Sequence, residues 1–122
     1  MRSGKNSEEH LRKRWLTEAL TIALENKGLK VQNQVKIDIY FEGKKVGTYT
    51  PDKIVDDLVL VELKCKPFLT YEDKRQFWLY LKGSKYKIGL LINFGTHKLE
   101  IERRIYDAAR SKIPCYSASL SA

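Results

Sequence analysis

Apolar residues fall at helical spacing at Leu11, Trp15, Leu16, Ala19, Leu20, Ile22, Ala23 and Leu24, which predicts one amphipathic helix over about 8–27. Ser7, ahead of Glu8 and Glu9, reads as its start with acids in the first turn, and Gly28 as its C-cap. Residues 29–41 read as a strand, with the period changing to two from Val35 onward. It turns through Glu42-Gly43-Lys44-Lys45 and returns over 46–55 as a hairpin. Asp56-Asp57 makes a tight turn into a third strand, 58–64. Thr70 caps a second helix over 71–82, which Gly83-Ser84 ends. The nearly all-apolar stretch 86–94 reads as a strand buried on both faces, and 99–105 as a further alternating strand. The crossover from 58–64 through the second helix should be right-handed and bring 88–93 parallel to it. The expectation is an α/β fold of order αβββαββ, a mixed β-sheet flanked by helices. It forms one domain over 1–122, with small polar or Ser-rich ends (1–7 and 111–122) expected to be flexible.

The third strand carries the chemistry. In Val59-Leu60-Val61-Glu62-Leu63-Lys64-Cys65 the apolar run is interrupted only at Glu62 and Lys64. Alternation points these two the same way as Leu60, and Val59, Val61, Leu63 and Cys65 the other way, into the core. An acid and a base at the end of a buried strand stay ionised only if paired, hydrated or metal-bound. Asp52 comes within reach if 49–55 pairs antiparallel with this strand. Two carboxylates beside a lysine then make a hard-cation site next to a water activator. The competing reading is a Glu-Lys pair on the solvated face of an edge strand.

Composition narrows the partner. Lys and Arg total 23 against 15 acids, a net charge of +8, and the pI is near 9.5. That balance favours a polyanion, nucleic acid first and an anionic membrane surface second. A hydrophobic content of 43% argues for a folded globule. Cys65 and Cys115 have no zinc-ligand spacing, and a reduced compartment is the default. No signal-peptide core and no apolar run of membrane-spanning length is present, so a soluble cytoplasmic protein without a membrane partner is expected.

Pro51-Asp52, Glu62-Leu63-Lys64 and Gln76-Phe77-Trp78-Leu79-Tyr80, in this order of elements, resemble the PD-(D/E)XK nuclease superfamily with its restriction-endonuclease-like core. Ala19-Leu20, Gly28-Leu29, Gln34, the turn 40–47, Tyr80-Leu81-Lys82 and Gly89-Leu90-Leu91-Ile92-Asn93-Phe94-Gly95 bring the match closest to its GxxExxY group, over about 16–104. The motif that names the group falls on His10, Lys13 and Leu16, all different. Related nucleases often support their metal from a helix glutamate. Glu9, one turn before Lys13 on the same face, is the substitute candidate, with Glu18 the other.

The resemblance implies a Mg²⁺-dependent nuclease, Mn²⁺ substituting, that hydrolyses phosphodiester bonds of nucleic acid, DNA ahead of RNA. Asp52, Glu62 and the backbone carbonyl of Leu63 would hold the metal, and Lys64 would orient water or stabilise charge. Gln76 would hold the lysine or a phosphate, and Tyr80, on the same helix face, would contact the nucleic acid, a position that half-buried helix packing explains equally well. Lys74, Arg75, Lys82 and Lys85 would follow the phosphate backbone, a role that a solvated charged face explains nearly as well. Phe77 and Trp78 read as core. A homodimer would supply a second half of a duplex grip. The alternative is a catalytically silent domain of the same fold that binds nucleic acid or a partner.

Overall fold

The computed structural model describes residues 2–106; in the first helix the side chains of residues 2–7 and Glu9 lie outside the description. Cys115 and the 111–122 end also lie outside the described residues.

The first helix, α1 (Arg2–Asn26), begins upstream of Ser7, because nothing in the preceding segment, a single Gly4 included, is a strong enough breaker to stop it. It ends where expected. Gly28 takes φ +85°, its N–H donates to Glu25 O at 2.9 Å and the Leu29 N–H to Leu24 O at 3.1 Å. These are the paired bonds of a Schellman cap.

Five strands precede the second helix where three were expected: β1 (Val31–Asn33), β2 (Ile37–Phe41), β3 (Lys44–Tyr49), β4 (Lys53–Val55) and β5 (Val59–Lys64). Gln34, at φ 58°, breaks the first run. Pro51, which lacks a ladder donor, breaks the return strand between Tyr49 and Lys53. The halves part company: β2 and β3 form their own two-stranded sheet, while β1, β4 and β5 join β6 (Ile88–Phe94) and β7 (Leu99–Ile105) in a sheet of order β1-β4-β5-β6-β7. The element order is otherwise the one expected. β5 and β6 are parallel, with Leu60 beside Gly89 and Lys64 beside Asn93; every other neighbouring pair is antiparallel. The Asp56-Asp57 turn has φ 54° at both residues, the mirror-image geometry that suits a tight hairpin.

The helices cover opposite faces. Leu20 and Leu24 of α1 pack on Val55, Val61 and Leu63. On the other face, Leu81 of α2 (Tyr71–Gly83) packs with Ile54, Leu60 and Tyr86, and Phe77 with Leu69 and Leu91. Thr70 caps α2 as expected, in a reciprocal box with Asp73. Gly89 faces α2 so closely that a Cβ there would stand 2.7 Å from the Phe77 ring. Trp78 is half-buried edge-on against Tyr106, centroids 5.7 Å apart, so both helix aromatics pack as structure. Among the described residues no helix is long and apolar enough to cross a membrane.

Candidate active site

Register builds the site. Lys53 lies opposite Val61 across β4 and β5, so Asp52, one residue before β4, lies against the far end of β5. Its Oδ2 accepts the Leu63 N–H at 2.8 Å, and its Oδ1 accepts from the Gln34 amide at 3.5 Å. Asp52 is only 7% exposed, and a buried carboxylate without a counter-charge is costly. The Lys13 Nζ of α1 stands 3.5 Å from Oδ2.

Glu62 and Lys64 share the opposite, α2-facing side of β5, as alternation requires. Tyr49, at the end of β3, donates its hydroxyl to Glu62 Oε1 at 2.7 Å. The same ring stacks on Tyr80 of α2, centroids 3.9 Å apart and 11° from parallel. Burial, then the charge of Asp52, push the Glu62 carboxyl up; the Tyr49 hydroxyl and the ammoniums of Lys64 and Lys13 pull it back. Burial first, then Glu62, push the Tyr49 phenol far above its usual range, so it remains a proton donor to Glu62. Around them Gln76, Phe77 and Leu91 help enclose a cavity of about 10 Å³, room for about one water. Asp52 instead lines a cleft of about 420 Å³ beneath α1, with His10, Lys13, Arg14 and Gln34.

The exit of β5 is clamped. Asn93, fully buried, accepts the Lys66 N–H at 2.9 Å and donates to Lys66 O at 3.0 Å and Glu100 Oε1 at 2.8 Å. Glu100 Oε1 also accepts the Leu69 N–H at 2.8 Å, while the Lys66 ammonium pairs with Asp73 at the head of α2. Burial acts to raise Asp73, but the bonds from Lys66 and Thr70 outweigh it and hold the carboxyl low.

Next to Asp52, Lys53 is wholly buried and donates to Thr21 Oγ1 and Asn33 Oδ1, pinning α1 to the sheet. Burial lowers its pKa against the pull of Asp52, Glu18 and Glu25. The native state therefore binds fewer protons there than the unfolded chain, and the lysine's contribution to stability rises with pH below the ordinary lysine range. Lys53→Met should abolish that rise. Urea midpoints from about pH 6 to about pH 10 should show the wild type gaining on the variant; parallel curves would refute it.

The structure thus brings Asp52, Glu62, Leu63, Lys64, Gln76 and Tyr80 to one region, Leu63 through its N–H. The basic residues of α2 diverge from it. Lys74 is paired with Glu102 at 3.2 Å, and Arg75 is exposed. Lys82 sits over the Trp78 ring at 5.7 Å and Lys85 over Tyr86 at 5.4 Å. Both line a separate cleft of about 780 Å³ that shares no residue with the Glu62 cavity. The reason is helical phase: Lys82 lies about 200° around α2 from Tyr80. The Glu9 side chain lies outside the described residues; Glu18 is exposed on the Asp52 cleft. Cys65 is half-buried, just past the end of β5. Sequence reading missed Tyr49, whose hairpin position carries no signal. It also assigned no role to Lys13 or Gln34.

The donors available for a metal are hard oxygens. Among the described residues no cluster of three His, Cys, Asp or Glu exists, but Mg²⁺ keeps several waters and takes only one or two carboxylates from a protein. Asp52, held against β5 by the Leu63 N–H, and Glu62 of β5 offer two such carboxylates.

A family model described as the PD-(D/E)XK nuclease superfamily matches residues 9–104. No curated protein matches the chain. Among solved structures it is similar to SSO0001, at TM-score 0.61 and 15% identity over 92% of this chain and 59% of that one. It is also similar to an alkaline exonuclease from Laribacter hongkongensis, at TM-score 0.53 and 16% identity over 94% of this chain and 66% of that one. The chain spans less than two thirds of either neighbour, and at these identities the likeness concerns the fold.

Proposed function

The chain belongs to the PD-(D/E)XK nuclease superfamily, and on that premise we propose that it hydrolyses phosphodiester bonds of nucleic acid with a divalent ion, Mg²⁺ first and Mn²⁺ as substitute. The observation that carries this is the Asp52 contact with the Leu63 N–H at 2.8 Å, which locks one acid against the strand bearing Glu62 and Lys64. Asp52 and Glu62, with the Leu63 carbonyl, would hold the ion. When bound, it supplies a polarised phosphate oxygen and a water of lowered pKa. Lys64 sets its ammonium against the charge that grows on the phosphate oxygens. Gln76 orients a phosphate or the lysine, and Tyr49 holds the Glu62 carboxylate in one orientation. Phe77 and Leu91 keep bulk water from that side.

The cavity on the α2 side admits about one water, so nucleic acid would enter by the cleft under α1, past Lys13 and Arg14. Lys74, Arg75, Lys82 and Lys85 would then contact only a strand that runs on beyond the site. DNA is the first substrate to test; the exonuclease among the structural neighbours makes free ends worth including. Cleavage of labelled single- and double-stranded DNA and RNA, with Mg²⁺, Mn²⁺ or EDTA, should be metal-dependent. A homodimer would complete the grip on a duplex; light scattering at twice the chain mass tests it, and an active monomer removes it.

The Lys13–Asp52 pair favours one second reading. A lysine that neutralises Asp52 lets the acid persist with no metal, as in a silent domain that binds nucleic acid or a partner. Salt-sensitive binding with no cleavage under any condition would mark it.

A further inference from the structure

Among the described residues Lys13 is the cation of α1 that pairs with the buried acid. Its Nζ lies 3.5 Å from Asp52 Oδ2, the oxygen that also takes the Leu63 N–H. The other oxygen has only the long 3.5 Å contact with the Gln34 amide. Around the acid pair cations already stand without any metal: Lys13 and Lys64 both act on Glu62, and Asp52 acts on the buried Lys53 beside it. Lys13 is not trapped. Its side chain is 35% exposed while that of Asp52 is 10%, and the 420 Å³ cleft beside it leaves room for a four-carbon stem to swing away.

We propose that Lys13 is a tethered counter-ion that competes with the divalent metal for Asp52, so that the protein takes up metal weakly alone and more tightly when a polyanion draws the lysine off. This rests on the nuclease reading above and adds its regulation: metal and nucleic acid enter together. The phosphate backbone offers Lys13 a replacement partner and brings negative charge to the metal. One long side chain performs the exchange, and the fold need not move.

The test is Mn²⁺ binding by titration calorimetry, without nucleic acid, on the wild type, Lys13→Met, Lys13→Glu and Lys13→Arg. Asp52→Asn is made in the wild type and in Lys13→Met. Lys13→Met should bind about tenfold tighter or more, the scale on which a nearby unit charge alters a carboxylate's affinity for a proton. Lys13→Glu should bind tighter again, and Lys13→Arg should stay near the wild type. Asp52→Asn should erase the gain. Lys13 sits on a part-exposed face of α1, so the variants should fold, and urea midpoints verify it. Equal affinity in wild type and Lys13→Met, with Asp52→Asn weakening both, overturns the competition and leaves the metal site standing. No Asp52-dependent binding in any variant overturns the metal site itself.

Discussion

Lys64→Ala should lower cleavage by about a hundredfold to a thousandfold, the loss seen when one preorganised charge-stabilising donor is removed from an active site. Lys64 is half-buried at the end of β5, on the face of Glu62 and the Gln76–Tyr80 cavity. Its methylenes lie beside packed side chains, but no hydrogen bond or ion pair of the fold depends on its ammonium among the described residues. The loss should therefore fall on turnover, with urea midpoint and nucleic-acid affinity close to wild type. Asp52→Asn run beside it separates the roles: it should abolish cleavage as well, and metal binding with it, whereas Lys64→Ala should keep its metal binding. Lys64→Ala that cleaves within a few-fold of wild type would remove the lysine from the chemistry.

Asn93→Leu should cost about 3 kcal/mol of stability, because three buried hydrogen bonds vanish and their partners stay behind. Leucine keeps the branched outline of asparagine but is bulkier, so no cavity opens, and the strain of its extra volume adds to the cost of the unpaired polar groups. Urea unfolding measures it; a change below about 1 kcal/mol would mean that water replaces the amide. The cost should depend on pH. The hydrogen bond from Asn93, then that from the Leu69 N–H, hold the Glu100 carboxyl low. Stability from a depressed acid is present above the usual carboxylate range and lost as pH falls through the folded value. The wild type should accordingly surrender more of its advantage over Asn93→Leu in acid. Cleavage should fall too, since the clamp holds the chain just beyond Lys64 and, through Lys66, the head of α2.

Both helices, the Asp56-Asp57 and Glu42-Gly43 turns, the parallel crossover and the face shared by Glu62 and Lys64 were legible because each follows from local rules: periodicity, caps, positive φ and alternation. The break at Pro51 was visible as a proline, yet its consequence was not. The hairpin turn at 42–45 suggested one return strand over 46–55, where the chain builds the end of one sheet and a strand of another. Lys82 and Lys85 join the site on charge alone; helical phase turns Lys82 to a different cleft, and Lys85, past the end of α2, lines that cleft with it. Tyr49 was illegible because its partner, Glu62, is thirteen residues away and belongs to the other sheet.

Local pattern in the sequence sets the reacting groups: a Pro-Asp, a Glu-x-Lys on one strand face and a helix with Gln76 and Tyr80 in phase. Those depend on backbone periods of two and of 3.6, which any stretch of chain obeys. Which groups meet is a matter of tertiary packing. The β4–β5 register set Asp52 against Leu63, and docking of the hairpin placed Tyr49 on Glu62. Packing of α1 through Leu20, Leu24 and the buried Lys53 swung Lys13 onto Asp52. These are long-range contacts fixed by how apolar faces bury one another, and no local pattern encodes them.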